Sequence, residues 1–289
     1  MSELLFGVNV STAPGAGDPV AAARQAETEG FDFVSMSDHL HGPGPTYEPW
    51  TTLSWIAAVT SRVRVLTRVL AIPYRHPAVV AKMAETLDRL SDGRLILGLG
   101  GGYSDEEFRA FGLGTPSPRQ KVDGLAEAIH IARGVWSEET FTFDGHRYRV
   151  EGAQVHPKPG HRIPIWLGTY GPRALAVTGR LADGWIPTLE MAPPDHLPAM
   201  RARVLDAARE AGRDPDEITF VCNLDVRVDE GAREEPGVVA GSAAAVADRL
   251  IGFLPLGVGA FSFLPAGPDP EEQMELLARE VIPAVRSVA

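Results

Sequence analysis

Three short stretches of this 289-residue chain combine residue types that could do chemistry. Ser37-Asp38-His39 joins a carboxyl group to an imidazole, which exchanges protons near neutral pH. The segments GLGGGY (98–103) and GTYG (168–171) are rich in glycine, so their backbone amides could approach an anion closely. One such segment has the simpler interpretation of a tight turn, but two of them suit a phosphate group held between neighbouring loops.

A fourth stretch, Thr67-Arg68-Val69, ends an apolar run and leads into residues 70–73, LAIP. One interpretation is a bulge that presses an apolar shelf against one face of a planar ring. The other is an ordinary strand end from which Arg68 extends to solvent. The residues themselves leave both interpretations open.

The pair His39 and His41 has the HxH spacing of some metal-ligand pairs. A metal hydrolase would need further His or Asp ligands at other strand ends. His76, His156 and His161 are poorly placed for that purpose, so we predict no metal site.

The elements that must position these groups form a repeated unit of helix, glycine and strand. Gly30, Gly93, Gly184 and Gly257 each precede a β-branched or aromatic run, as glycine does where a helix hands over to a strand. We predict strands near residues 4–10, 31–36, 63–69, 94–100, 163–168, 184–187, 218–226 and 259–264. Capping residues and prolines predict helix starts at Asp18-Pro19, Pro77, Pro172, Ser242 and Asp269-Pro270.

Eight strands that alternate with helices indicate an α/β protein with a parallel (β/α)8 TIM barrel, in one domain over residues 1–289. An open doubly wound sheet is less well supported, because no GxGxxG follows the first strand. Asp144-Gly145 predicts a hairpin excursion between the fourth and fifth strands. The charged tract 229–241 predicts a loop and a lid, and Trp55, Trp136 and Trp166 are expected to pack in the core or between helices.

Composition argues against several classes of partner. The net charge of −11 and the pI near 5.2 would repel nucleic acid and anionic membranes. The chain has one cysteine, its first residues lack the pattern of a signal peptide, and no apolar run approaches about 18 residues. We therefore expect a soluble cytoplasmic protein with a small-molecule substrate.

The chain also resembles a known family over nearly its whole length. Residues 48–103, 164–187 and the part after Gly241 are similar to the luciferase-like monooxygenase superfamily, in particular to its branch that uses the deazaflavin coenzyme F420. The most specific segments are SDH (37–39), TRV (67–69), YRHP (74–77) and LADGW (181–185). The resemblance implies a luciferase-like TIM barrel.

It also implies a role for each candidate site residue. Asp38 would lie beside the deazaflavin head, and His39 would be the catalytic proton donor or acceptor. Arg68-Val69 would form a non-proline cis peptide bond behind the ring, and Trp50 would wall the substrate side. The ribityl and phosphate portion of the coenzyme would be lined by Gly101, Gly102, Tyr103, Gly168, Thr169, Tyr170 and Gly171. The residues themselves make Thr169 and Arg173 candidate phosphate donors.

The implied activity is hydride transfer between the deazaflavin C5 and a small carbonyl, alkene or alcohol, in a homodimer. Tyr103 stands where sugar-phosphate dehydrogenases of the family carry a glutamate, which argues against a sugar-phosphate substrate. Arg68 stands where the family often has a small residue. Two alternatives remain: an FMN-dependent monooxygenase of the same superfamily, and a protein that binds deazaflavin without catalysis.

Overall fold

The computed structural model of the chain describes residues 4–10, 17–42, 44, 46–232 and 237–289. Within these residues, eight parallel strands form a closed barrel surrounded by helices. The barrel strands are β1 (Leu5–Asn9), β2 (Phe33–Met36), β3 (Arg64–Thr67), β5 (Leu95–Gly100), β8 (Ile165–Leu167), β9 (Gly184–Trp185), β10 (Thr219–Val228) and β12 (Val258–Pro265). The short strands β4 (Leu70–Ala71) and β11 (Val238–Gly241) extend this sheet, and β6 (Phe141–Asp144) and β7 (Arg149–Ala153) lie outside it.

Neighbouring barrel strands pair in chain order, including β9 with β10, and the pairing of β12 with β1 closes the ring. Leu5 of β1 pairs with Ala260 of β12, and Trp185 of β9 pairs with Phe220 of β10. Because every barrel pair is parallel, all eight C-terminal ends meet at one rim. The predicted TIM barrel is confirmed, and each predicted strand is present with ends shifted by a few residues.

The helices begin where the capping signals indicated. Asp18 Oδ1 accepts a hydrogen bond from the Val20 amide at 2.8 Å, and Ser242 Oγ accepts one from the Ala245 amide at 3.3 Å. Proline occupies the first turn of the helices predicted to start at Pro19, Pro77, Pro172 and Pro270. The α-helices are α1 (Pro19–Glu29), α2 (Pro49–Val59), α3 (Pro77–Leu90), α4 (Asp105–Ala110), α5 (Pro118–Ser137), α6 (Pro172–Leu181), α7 (Leu197–Glu210), α8 (Ala243–Ile251), α9 (Pro270–Leu276) and α10 (Ile282–Arg286), with shorter turns at Ile72–Tyr74, Pro215–Glu217, Leu254–Leu256 and Leu277–Val281.

Large side chains fill the barrel interior below the rim. Phe33 and Trp166 meet edge to face with ring centroids 5.8 Å apart. Two glycines make room for them, since a Cβ on Gly7 would lie 2.0 Å from the Phe33 ring and one on Gly184 2.3 Å from Trp166. The centre of the barrel is therefore packed, and a ligand can enter only at the rim.

The segment between β5 and β8 leaves the barrel and forms an antiparallel pair of strands. Asp144 pairs with Arg149 across the turn. The Glu127 carboxylate on α5 accepts hydrogen bonds from the amides of residues 146–148 at 2.8–2.9 Å and so fastens this turn to the helix.

Two expectations were wrong. Trp136 and Trp166 are buried, but Trp55 is 66% exposed because it lies on the outer face of α2. Residues 238–241 of the expected loop form β11, which pairs with Asp225–Val228 because the ten-residue β10 offers a free edge there; residues 233–236 lie outside the described part. None of the described helices is both long and apolar enough to cross a bilayer.

Candidate active site

A cavity of about 410 Å³ opens at the C-terminal rim of the barrel. It lies above the ends of β2, β3, β5, β8 and β10, where parallel barrels carry their reacting groups. Most of the sequence-predicted site residues line it. These are Asp38, His39, Arg68, Val69, Gly101, Gly102, Tyr103, Gly168 and Tyr170.

A bulge between β3 and β4 forms one wall of the cavity. Leu66 pairs with Ile96, whereas Leu70 pairs with Leu99, so the β3 side contains one residue more than β5 between these two pairs. The Arg68-Val69 peptide bond within the bulge is cis, as the resemblance implied. The extra residue turns Arg68 and Val69 toward the cavity.

Val69 forms an apolar shelf directly against the glycine loops. A Cβ on Gly100 would lie 2.7 Å from Val69 Cγ2, and one on Gly168 would lie 3.2 Å from the same atom. Only glycine therefore lets both loops close against the shelf without displacing it. The wall is flat and apolar with bare backbone beside it, which fits a planar ring that carries a phosphate tail.

His39 belongs to a hydrogen-bonded group at the end of β2. Its Nδ1 lies 2.8 Å from Glu107 Oε1. The other carboxylate oxygen accepts from the Tyr74 hydroxyl at 2.6 Å and from the Leu40 amide at 3.2 Å. Glu107 is buried, whereas the His39 side chain keeps 57% of its surface exposed. The buried carboxylate thus holds an accessible imidazole in one orientation.

The ionisation of Glu107 decides where the imidazole proton lies. Burial would raise the pKa of Glu107, but hydrogen bonds from His39 and Tyr74 outweigh it and hold the pKa below its usual range. Burial and the bond to Glu107 raise the pKa of the Tyr74 phenol. An ionised carboxylate can only accept, so the proton of neutral His39 sits on Nδ1 and Nε2 carries the lone pair.

The Asp38 carboxylate binds within the protein and shapes the cavity wall. It accepts hydrogen bonds from both terminal nitrogens of Arg75 at 2.9 and 3.1 Å and from the Ala71 amide at 2.9 Å. Arg75 also donates to Glu48, which caps α2, at 2.5 Å. Asp38 therefore joins the end of β2 to the segment that follows the bulge.

Three predicted site residues do not line the cavity. The Thr169 hydroxyl lies 2.7 Å from the buried Thr178 hydroxyl, so its predicted contact with phosphate does not fit this placement. Gly171 caps α6 beside the cavity. Trp50 is 8% exposed and packs in the hydrophobic core, which does not fit the predicted wall on the substrate side.

Glu107, Tyr74 and Asn223 line the cavity but were not predicted as site residues. Glu107 lies in the first turn of α4, directly after the glycine loop, where a side chain can point back to the strand ends. Tyr74 belongs to the YRHP segment, whose contacts the sequence does not reveal. Among the described residues, no cluster of three or more His, Cys, Asp or Glu side chains is arranged to hold a metal.

Comparison with known proteins gives a consistent picture. The model of the luciferase-like monooxygenase family matches residues 5–260. An F420-dependent glucose-6-phosphate dehydrogenase of Nakamurella multipartita is 35% identical over 211 residues, 71% of this chain but only 61% of that protein. The protein of the same name from Microbacterium testaceum is 32% identical over 277 residues, 89% of this chain and 81% of that protein. The fold matches that of an F420-dependent secondary alcohol dehydrogenase in complex with an F420-acetone adduct, with a TM-score of 0.89, 22% identity and coverage of 98% of this chain and 99% of that one.

Proposed function

Since the chain belongs to the luciferase-like monooxygenase family, we propose that it is a coenzyme F420-dependent oxidoreductase that transfers a hydride to or from a small organic substrate. One observation carries this proposal: the Val69 shelf, the glycine loops and the His39–Glu107 pair surround a single cavity. The F420-dependent relatives support the choice of coenzyme.

The residues of the cavity have complementary tasks in this reaction. When bound, the deazaflavin supplies two-electron transfer as a hydride at its C5. Val69 would offer an apolar surface to the ring, and the bare amides of residues 100–102 would bind its phosphate tail. In alcohol oxidation, His39 Nε2 accepts the hydroxyl proton while the carbinol carbon loses its hydride. In carbonyl reduction, the imidazolium returns that proton to the oxygen.

We infer that the substrate is a small alcohol, carbonyl or alkene and not a sugar phosphate. Arg68 is the only Lys or Arg among the described residues that line the cavity. A phosphate dianion is normally bound by several cationic or amide donors. Glu107 and Glu190 also face the cavity and would repel it.

Binding and turnover with defined ligands test the proposal. Oxidised F420 should raise the melting temperature of the purified protein, and FMN should not; the reverse result would favour the FMN-dependent monooxygenase. A panel of secondary alcohols should then bleach the visible absorbance of F420, whereas glucose 6-phosphate should not. Binding of F420 without turnover of any alcohol, ketone or enone would identify a non-catalytic binding protein.

His39→Ala separates binding from proton transfer. We expect this variant to bind oxidised F420 as the wild type does and to lose turnover by about 100- to 10,000-fold, the usual contribution of a positioned acid or base. Full turnover in the variant would remove His39 from the mechanism. His41→Ala is the matched control, because the His41 ring lies edge-on to Phe111 instead of binding Glu107.

We also propose that the enzyme acts in the cytoplasm as a homodimer. Trp55 on α2 and Val79 and Leu90 on α3 are 66%, 55% and 80% exposed, and exposed apolar side chains of this size occur at protein interfaces. Trp55→Glu should turn a dimer into a monomer in analytical ultracentrifugation. Val288→Glu alters an apolar residue that is 58% exposed and follows α10, and it should leave the dimer intact.

A further inference from the structure

The guanidinium of Arg68 lies at the floor of the cavity, and its hydrogen-bond partners are uncharged side chains. Its Nε donates to Asn9 Oδ1 at 3.3 Å, and one terminal nitrogen donates to Ser37 Oγ at 2.9 Å. With the Asn223 amide turned so that its nitrogen donates to the Ser262 carbonyl, the other terminal nitrogen donates to the Asn223 oxygen at 2.9 Å. Three strands therefore hold the guanidinium in place without neutralising it.

Arg68 remains a cation at neutral pH. Burial lowers the pKa of Arg68 to about 10, although Asp225 and Tyr170 act in the opposite direction through their charge. None of the ion pairs in the described part of the chain includes Arg68, whereas Arg75, seven positions further along the chain, binds two carboxylates. The floor of the cavity consequently carries a positive charge that Asp225 offsets only from a distance, without forming an ion pair.

Burial of the Arg68 cation costs free energy unless an anionic group binds to it. Burying an ion with neutral partners costs several kcal/mol even after its hydrogen bonds are made. Arg68 lines the cavity, so a group bound there can reach the guanidinium from that side. The group that offsets the charge is therefore expected to arrive with a ligand.

We propose that Arg68 binds a negatively charged oxygen at the inner end of the ligand. Two sources have this chemistry: the electron-rich oxygen atoms of the deazaflavin ring, which gain negative charge on reduction, and a carboxylate on the substrate. Binding of the deazaflavin ring rests on the proposed function, whereas binding of a substrate carboxylate does not. In either case Arg68 favours a ligand whose anionic end lies at the floor of the cavity. Glu107 and Glu190 also line the cavity and would repel that end elsewhere.

Two variants test the role of the Arg68 charge: one removes the cation and the other neutralises it. Arg68→Met keeps much of the side-chain length and removes the cation. Asn223→Asp keeps the guanidinium and places a carboxylate against it at almost the same volume, so it tests the proposal even if Arg68→Met fails to fold. Arg68→Lys retains a positive charge and is the control, with circular dichroism as the check of folding for all three.

The first arm uses coenzyme F420 alone, without substrate. Binding of oxidised and reduced F420 is measured under anaerobic conditions, together with the midpoint potential of the bound coenzyme. If the ring supplies the charge, Arg68→Met and Asn223→Asp should weaken binding of the reduced form about tenfold more than that of the oxidised form, as for loss of a hydrogen bond to a charged group. The midpoint potential of F420 bound to these two variants should then be about 30 mV lower than in the wild type. Arg68→Lys should lower the affinity for reduced F420 and the midpoint potential much less.

The second arm uses the coenzyme-free protein with acetate and acetamide at constant ionic strength. If a substrate carboxylate is the source, acetate should raise the melting temperature of the wild type and of Arg68→Lys, but not of Arg68→Met or Asn223→Asp. Acetamide should have no such effect. Equal affinities for both redox forms in all variants, together with no response to acetate, would overturn the proposal. Failure of the wild type to bind F420 in either form would instead reject the proposed function, and the acetate arm would still decide the role of Arg68.

Discussion

The Nδ1 atom of His39 lies 2.8 Å from the Oε1 atom of Glu107, although 68 positions separate the two residues in the chain. The imidazole follows β2 and the carboxylate lies in the first turn of α4, so only the closed rim of the barrel brings them together. The carboxylate binds Nδ1 of His39 and leaves Nε2 for the proton exchange that we propose. Glu107 is in this sense a positioning residue.

Glu107→Gln should separate orientation from binding. We expect kcat to fall about 100-fold, because the uncharged amide neither fixes the Nδ1 proton nor stabilises the imidazolium that forms in alcohol oxidation. KM and the affinity for F420 should stay within about twofold, since the side-chain volume is unchanged. Steady-state kinetics and a coenzyme titration measure both effects.

Glu106→Gln is the control for that experiment, because Glu106 lies exposed on the same helix. It should retain the kinetics of the wild type. Equal losses in the two variants, or a loss confined to KM, would show that Glu107 does not act through His39.

Gly100→Ala should weaken coenzyme binding through Val69. The added Cβ would lie 2.7 Å from Val69 Cγ2 and must push the shelf into the space of the ring. We expect the Kd for F420 to rise about tenfold, and the overpacking to lower the free energy of unfolding by about 1–3 kcal/mol. In a Val69→Ala background, Gly100→Ala should reduce the affinity for F420 much less. Equal losses of affinity in both backgrounds would show that the substitution does not act through Val69.

Asp38→Asn should destabilise the fold as well as the site. The Asp38 side chain is 1% exposed and its Arg75 partner 15%, so the substitution leaves a buried cation short of its counter-charge. Loss of one partner from such a pair costs about 3–5 kcal/mol, measurable by urea unfolding. Glu48→Gln alters the other carboxylate bound to Arg75 at a position that is 37% exposed, and its loss should be about 1 kcal/mol.

Acid should weaken the contact between Glu27 and the start of β3. Partial burial would raise the pKa of Glu27, but amide hydrogen bonds from Val63, Arg62 and Ser61 lower it from 4.5 to about 2. Because the folded-state pKa is the lower one, this contribution to stability is complete above pH 4.5 and disappears as the pH falls toward 2.

The free energy of unfolding of Glu27→Gln tests this pH dependence. The variant should be less stable than the wild type by about 1 kcal/mol at neutral pH, a value reduced by solvent around the carboxylate. The difference should persist down to pH 4.5 and shrink below it. A constant difference between pH 6 and pH 3 would show that the carboxylate charge has no part in the contact.

Local patterns predicted much of the architecture. Proline and a capping side chain mark the starts of α1 and α9, and short β-branched or aromatic runs mark the barrel strands. These signals depend on hydrogen bonds and side-chain packing within a few residues of the chain, so they can be read without the rest of the molecule. The likeness of the TRV segment to its family located the cis peptide bond at Arg68-Val69.

The candidate site was predicted in part, and the missing part has a common cause. Asp38 and His39 were recognised at the correct rim, but the carboxylate partner of His39 and the Arg75 partner of Asp38 were not. Trp50 and Thr169 were assigned to the site, yet their side chains turn into the protein. Which way a side chain turns at a strand end depends on its neighbours across the barrel, which the local sequence does not specify.

The sequence by itself determined the kind of protein: eight strands, their order, the helix starts and the glycine loops all follow from short-range propensities. Only the tertiary structure decided that Glu107 binds His39, that Val69 closes against Gly100, and that Arg68 hydrogen-bonds to the uncharged side chains of Asn9 and Ser37. These relationships depend on the closure and stagger of the barrel, which bring residues far apart in the chain to within a few ångströms.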